Sequence, residues 1–342
     1  MKFFRKLWCF LFVCIVFTNG SVVHAENLAA GYTIEGIQKE NQINKEVGYF
    51  YLKENPGDKD ELKVKLINSS DKDKTLLVNI VDANTNVNGT IDYTGKLKNH
   101  SSLKTPLTSI VTATKKEIVV PKRSEVETVL TLTMPTEKVE GVIVGGVVVS
   151  EKKEEKESQS MAIKNTYSYT LAIVLTNDVQ TPIKKNQSLE LDTVEPLLFD
   201  GRKIVQASIL NKNPYIFENV TVFGTIYDKK TGKKIIENKK ENVEIAPYSA
   251  FPFQFDWKKE ELKPGKYRFI GTATSGEKSW KFEREFEITG ERAKNLNEET
   301  VFKVYIPQWL MVGEWLLVGL VSIGTIGLFM RKQRRRSNES NG

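Results

Sequence analysis

The chain has 342 residues, a length that predicts two domains together with any segments that do not fold in water. Its 50 basic and 43 acidic residues give a net charge of +7, of which the first six residues supply +3 and the last twelve supply +4. The rest of the chain is therefore neutral, which disfavours nucleic-acid binding. Both cysteines and one of the two histidines lie in the first 25 residues, and removal of that segment leaves only His100, which excludes a multi-histidine metal site.

Residues 1–25 have the features of a secretory signal peptide. A basic start precedes an apolar run from Leu7 to Phe17, and small and polar residues follow, so we predict cleavage before Glu26. A lipoprotein signal at Cys14 is the competing interpretation, but the preceding Val13 is bulky where a small residue is expected. The apolar run is too short to cross a bilayer, which needs about 20 residues.

The region from Tyr32 to residue 160 reads as a β-sandwich. Short segments alternate apolar and polar residues, as in Leu62, Val64 and Leu66, and turn-forming residues separate them. The run Gly141 to Val149 is apolar on both faces, which predicts a central strand. We therefore expect one face of each sheet to be buried and the other to be exposed to solvent.

A charged stretch from Ser150 to Ser160 predicts an exposed loop or the beginning of a linker. The following segment, Asn165 to Thr176, alternates like a strand and could either close the first sandwich or open the second. Residues 161–300 then show turn signals at the spacing of an immunoglobulin-like sandwich. The alternating aromatic residues Phe251, Phe253 and Phe255 are expected to form core, since large exposed apolar patches are uncommon.

The predicted fold class is therefore all-β, with two tandem immunoglobulin-like β-sandwich domains at 26–160 and 161–300, a signal peptide and a C-terminal transmembrane helix. Residues 307–330 contain one charge, Glu314, and a basic tail at 331–342 follows. This pattern predicts a single membrane span with a cytoplasmic C-terminus. The predicted location is the cell membrane, with an extracellular body that faces the cell wall.

The loop from Asn84 to Asp92 is the one segment with the spacing of a cation site. Its oxygen-bearing side chains resemble a calcium loop of the EF-hand type, but the closing glutamate is replaced by Gly95 and flanking helices are missing. An Asn-Gly hairpin turn is the simpler interpretation. We predict no metal and no cofactor, and no pair of carboxylates stands out as a hydrolase dyad, so enzymatic activity is not expected.

The first domain resembles the peptidoglycan-binding domain of the WxL-interacting proteins of Gram-positive bacteria. The matching motifs are Gly48-Tyr49-Phe50-Tyr51-Leu52, Pro56-Gly57, Asn68-Ser69-Ser70, Asn86 to Tyr93 and Gly141 to Gly146. The second domain resembles the host-binding domain that follows in that family, through Asn165, Tyr169, Gly201-Arg202, Asn213-Pro214, Ala246 to Ser249, Leu262 to Tyr267 and Ala293 to Asn297.

The resemblance implies a non-enzymatic surface adaptor for adhesion. Its implied partners are peptidoglycan, WxL-domain surface proteins, and host extracellular-matrix or serum proteins, together with the membrane and without nucleic acid. Within the first domain, Asn86, Asn88, Asp92 and Tyr93 are the peptidoglycan-binding candidates, because these side chains could hydrogen-bond to and stack against sugar and peptide. A cell-wall-modifying enzyme and an accessory receptor that signals through a partner are the alternatives.

Overall fold

The computed structural model describes residues 30–152, 167–301, 319 and 321–326. Contacts divide the chain into two compact units. Unit 1 comprises the residues up to Leu189 together with Leu210–Val220 and Asn242–Phe251. Unit 2 comprises Glu190–Ile209, Thr221–Glu241 and the residues from Pro252 onward.

Two antiparallel sheets form the sandwich of unit 1, in the strand orders β1-β3-β9-β7 and β2-β11-β10-β4-β8, and a two-stranded ribbon pairs β5 with β6. The strands are β1 Tyr32–Gly36, β2 Phe50–Lys53, β3 Lys59–Asn68, β4 Lys74–Asp82, β5 Asn84–Thr85, β6 Ile91–Asp92, β7 Val111–Ala113, β8 Glu117–Val120, β9 Ser124–Thr133, β10 Ile143–Glu151 and β11 Ser168–Thr176. A 3-10 turn at Leu107–Ser109 precedes β7. One exception to the antiparallel pattern is the parallel pair β2 and β11.

Alternation along β3 produces the two faces that the sequence predicts. Leu62, Val64 and Leu66 are fully buried in the core of the sandwich, while Lys59 and the other odd-numbered residues near it face outward. Successive side chains of a strand point to opposite faces of the sheet. Because Leu62, Val64 and Leu66 point into the core, the residues between them point to solvent.

β11 belongs to unit 1. The sequence alone did not determine which of the two domains contains this strand. It pairs antiparallel with β10 from Ile143↔Leu175 to Ser150↔Ser168, and its other edge pairs with β2. The sheet that contains β10 therefore also contains β11, a strand that lies after residue 160. The part of the predicted charged linker from 153 to 160 lies outside the described residues.

Unit 2 contains most of a three-stranded sheet in the order β12-β13-β16 and a four-stranded sheet in the order β15-β14-β17-β18. The strands are β12 Glu190–Phe199, β13 Arg202–Leu210, β14 Phe217–Asp228, β15 Lys234–Ile245, β16 Ala250–Asp256, β17 Gly265–Ser275 and β18 Lys278–Ile288, and the helix α1 spans Gly290–Glu299. Phe253, Phe255 and Phe269 are at most 1% exposed and pack edge to face. The prediction that the aromatic alternation forms core is confirmed.

The predicted membrane span receives no support from the structure. Within the described residues, no helix is long and apolar enough to cross a membrane. The predicted single-pass location with a C-terminal anchor is thus contradicted. The rest of 307–330, the tail 331–342 and the predicted signal peptide lie outside the described residues.

Candidate functional site

The predicted binding loop of unit 1 is a tight hairpin. The strands β5 and β6 pair through Asn84↔Asp92 and Thr85↔Ile91. At its tip the Gly89 amide donates to the Asn86 carbonyl at 2.9 Å, and Gly89 has a φ of +74°. A left-handed conformation of this kind is what the Asn-Gly pair supplies in hairpin turns.

Two of the four candidate side chains are occupied in holding this hairpin. The Asn86 Oδ1 accepts from the Asn88 amide at 2.9 Å, and the Asn86 Nδ2 donates to the Thr90 hydroxyl at 2.9 Å. The Asp92 Oδ1 accepts from the amide and the hydroxyl of Thr94, at 2.9 and 2.6 Å. Side chains of Asn and Asp stabilise turns in this way, so Asn86 and Asp92 shape the loop.

The third candidate, Asn88, is exposed at the tip of the hairpin. Its side-chain amide makes no hydrogen bond to any residue that the structure describes, although its backbone amide donates to Asn86. A free carboxamide offers two donors and an acceptor to a ligand. The side-chain amide of Asn88 is therefore available to a ligand in this structure.

The fourth candidate, Tyr93, is half-buried against the smaller core of unit 1. Burial raises the pKa of Tyr93 to about 12, and the nearby Glu244 carboxylate and Tyr49 add to the shift. The phenol thus stays protonated in the physiological range and can act as a hydrogen-bond donor. The smaller core comprises Tyr51, Ala83, Val142, Val144, Val174, Ile216 and Ala246.

The base of the hairpin is fixed by buried hydrogen bonds within unit 1. The Thr85 amide donates to the Ser249 hydroxyl at 3.0 Å, and the Ala246 amide donates to the Thr85 hydroxyl at 3.0 Å. The Glu244 amide donates to the Gly89 carbonyl at 2.8 Å. No local sequence pattern predicts these contacts, because the partners lie more than 150 positions apart.

A groove on the first sheet of unit 1 was not anticipated by the sequence. It has a volume of about 830 Å³ and lies over β3 and β9, beside the segment that follows β1. Its lining residues are Ile37, Lys39, Lys59, Asp60, Glu61, Lys63, Thr131, Leu132 and Thr133. Three segments that are separate in the sequence contribute these lining residues, so no local sequence motif predicts the groove.

A buried carboxyl, Glu54, lies next to this groove. It is 3% exposed and accepts a hydrogen bond from the Asn41 Nδ2 at 2.8 Å. Burial raises the pKa of Glu54 to about 7, and the nearby Asp60 carboxylate contributes to the shift. At Asp60 burial acts in the same direction, but the Lys39 ammonium and the Glu61 amide outweigh it and lower the pKa of Asp60.

The described part of the chain holds no group of three or more His, Cys, Asp or Glu that could bind a metal ion. In the candidate calcium loop, Asn86 and Asp92 direct their oxygens to the turn amides. This arrangement is that of a hairpin whose side chains complete its own hydrogen bonds.

Comparison with known families gives two matches. A model described as "WxL Interacting Protein, peptidoglycan binding domain" matches residues 32–151. A model described as "WxL Interacting Protein, host binding domain" matches residues 158–298. No curated protein sequence shows a significant match to the chain.

Several solved structures show a distant likeness. The CupB2 chaperone of Pseudomonas aeruginosa is 10% identical with a TM-score of 0.26, over 67% of this chain and 92% of that one. The E. coli chaperone DraB is 13% identical with a TM-score of 0.26, over 68% and 90%. A PapD-like domain of human CEP192 is 9% identical with a TM-score of 0.27, over 44% and 86%. Similarity at this level carries no functional argument.

Proposed function

The chain belongs to the WxL-interacting protein family, and from this membership we propose that it is a non-enzymatic bacterial cell-surface adaptor. Its first domain binds peptidoglycan, and the chain engages WxL-type wall proteins. Its second domain binds host extracellular-matrix or serum proteins. The observation that carries the proposal is the presence of both domain types in the family's order, at residues 32–151 and 158–298.

The chemistry of unit 1 is compatible with binding. The hairpin presents the free carboxamide of Asn88 at its tip, and the phenol of Tyr93 lies at its base. Asn86 and Asp92 support these groups by fixing the two turns. We propose that this hairpin contacts the wall polymer, with Asn88 as a hydrogen-bonding group and Tyr93 as a donor and partial stacking surface.

Sedimentation of the purified full-length chain with isolated sacculi tests wall binding. The full chain is the right sample, because β11 pairs with β10 and a fragment that ends at residue 160 would lack that strand. We expect the chain to sediment with sacculi and to stay in solution without them. A chain that is folded by circular dichroism and stays in solution with sacculi contradicts the proposed function.

Two variants test the hairpin separately from wall binding. Asn88→Ala removes the free carboxamide, and Tyr93→Phe removes the phenol hydroxyl while it keeps the packing of the ring. Asn79→Ala is the matched control, because Asn79 is another exposed asparagine of unit 1, on β4. We expect Asn88→Ala to weaken sedimentation about two- to tenfold, as loss of one hydrogen bond does. If all three variants sediment like the parent chain, the hairpin is not a contact and wall binding lies elsewhere.

Pull-down of the chain with wall extracts, and separately with serum, tests the partner proteins. The proposal expects a WxL-domain protein among the species captured from the wall extract. Capture that is identical with an unrelated β-sandwich protein as bait would contradict specific engagement.

A further inference from the structure

The groove of unit 1 lies on the outward face of the sheet β1-β3-β9-β7. Its floor consists of Lys59, Glu61 and Lys63 on β3 and of Thr131 and Thr133 on β9, all of which are exposed. Alternate residues of a strand lie about 6.8 Å apart on one face. The three β3 side chains therefore form a row of charges, positive, negative and positive, about 14 Å long.

These three charges have no ionic partner among the described residues, which distinguishes them from their neighbour on the same face of β3. The next residue in the row, Lys65, pairs with Glu125 at 3.6 Å. At the groove, the ammonium of Lys39 is directed instead to the Asp60 carboxylate and to the Glu61 backbone carbonyl. The charged ends of the row thus remain available to a ligand.

The remaining lining indicates which ligand chemistry suits the row. Thr133 adds a hydroxyl group, and the Thr131 hydroxyl, which donates to the Thr112 carbonyl at 3.3 Å, can still accept a hydrogen bond. Ile37 is the apolar residue that faces the groove, because Leu132 is 1% exposed and belongs to the core. None of the described residues that line the groove is aromatic. Sugar rings are commonly bound through stacking on aromatic faces, and such a surface is missing here. The row of charges instead matches an extended peptide, whose alternate groups have the same spacing as those of the strand beneath it.

We propose that this groove binds the peptide stem of peptidoglycan. Stem peptides carry free carboxylates and, at a diamino residue, a free amine. In the bound state the carboxylates lie at Lys59 and Lys63, the amine lies at Glu61, and the threonine hydroxyls bind the peptide backbone. The inference rests on the proposed function, because it assigns the wall-binding chemistry of unit 1 to peptide and to a second surface besides the hairpin.

Titration calorimetry of the full-length chain with two soluble probes tests the assignment. The probes are a synthetic stem tetrapeptide with a free diamino side chain and a chitin tetrasaccharide that has no peptide. We expect the tetrapeptide to bind and the tetrasaccharide to bind at least tenfold more weakly or not at all. Binding of the tetrapeptide is also expected to weaken as salt rises from 50 to 500 mM, since exposed ionic contacts are screened.

A charge variant and a matched control locate the site. Lys59→Ala with Lys63→Ala removes both ammonium groups from the row, and we expect about tenfold weaker tetrapeptide binding, consistent with two exposed ion pairs. Lys72→Ala with Lys122→Ala makes the same change in net charge at exposed positions outside the groove and is expected to leave binding within twofold of the parent. All four lysines lie at the surface, so unchanged circular dichroism and melting temperature should accompany both variants.

The outcomes separate this inference from the proposed function. Sedimentation with sacculi without tetrapeptide binding overturns the groove assignment and leaves wall binding intact. Equal loss of binding in the groove and control variants also overturns it, because a general charge effect would then be responsible. Binding of the tetrasaccharide alone assigns the site to glycan and overturns the peptide assignment. Absence of sedimentation as well as of tetrapeptide binding contradicts the proposed function itself.

Discussion

Replacement of Glu54 by glutamine should remove a pH dependence from the stability of unit 1. The Glu54 carboxyl is 3% exposed, accepts a hydrogen bond from Asn41 and faces the Asp60 carboxylate. A protonated carboxyl or a carboxamide can accept from Asn41 and donate to Asp60, whereas a carboxylate places two negative charges side by side. Glutamine therefore reproduces the protonated form of Glu54 at every pH.

The magnitude follows from the difference in pKa between the folded and unfolded chains. Burial and Asp60 raise the pKa of Glu54 from 4.5 to about 7, and each pKa unit corresponds to 1.36 kcal/mol. Between pH 4.5 and 7 the folded chain binds the proton that the unfolded chain has lost, so the free energy of unfolding falls as pH rises. The loss is complete above about pH 7 and amounts to about 3 kcal/mol. The low pKa of Asp60 acts below this window, because its contribution is lost only as pH falls through that value.

Hydrogen exchange of peptides that cover β2 and β3, followed by mass spectrometry at pH 5, 6, 7 and 8, measures the opening free energy of this region. Tryptophan fluorescence would not report it, because unit 1 has no tryptophan beyond Trp8 of the predicted signal peptide. We expect Glu54→Gln to exceed the parent by less than about 1 kcal/mol at pH 5 and by about 3 kcal/mol at pH 8. Glu127→Gln, at an exposed position of β9, is the control and should keep the parent's slope. Equal slopes for Glu54→Gln and the parent would refute the reasoning.

Three further predictions concern the scaffold. Gly89→Ala should destabilise unit 1 by about 1–3 kcal/mol in thermal unfolding. Gly89 has a positive φ, and an added Cβ would lie 2.9 Å from Val243. A melting temperature within 1 °C of the parent would contradict this prediction. Asn211→Ala should lower the free energy of unfolding by about 1–3 kcal/mol, because the fully buried Asn211 amide donates to three backbone carbonyls that would lose their donor. The conservative Asn211→Asp should not restore the stability, since a carboxylate cannot donate a hydrogen bond. Limited proteolysis should cut first in the charged segment 150–160, after Lys or Glu, as its sequence predicts. First cuts in the β-strands before residue 150 or after residue 167 would contradict that prediction.

The sequence predicted the strands of unit 1 and their buried residues well where one face of the strand is buried and the other is exposed to solvent. Leu62, Val64 and Leu66 occupy every second position, and period two fixes which side chains enter the core. The same pattern identified β11 as a strand but could not name its partner. Alternation determines the face that a strand presents, whereas its neighbour is chosen by edge hydrogen bonds with distant strands, here β10 and β2.

The candidate site was less predictable, because residue type does not show whether a polar group is already used. In the sequence, Asn86 and Asn88 are equivalent ligand candidates in one loop. In the structure, the Asn86 side chain bonds to the turn, whereas the Asn88 side chain has no hydrogen-bond partner among the described residues. Asn side chains serve turns as readily as ligands, and only the backbone path of the loop decides between the two.

Strand register explains why β3 changes its electrostatic character along its length. Lys65 faces Glu127 on β9 and Glu35 on β1, so its charge is balanced by neighbours on both strands. Four residues earlier, the same register sets Glu61 opposite Thr131, and Lys59 opposite Thr133. Opposite charges across a sheet contribute about 0.2–1 kcal/mol for each pair, and the groove end of β3 forgoes that stabilisation at each of its charged positions. Among the described residues, the three charges at the groove end of β3 have no ionic partner, which is what an ionic ligand needs, and this property distinguishes them from Lys65 on the same face.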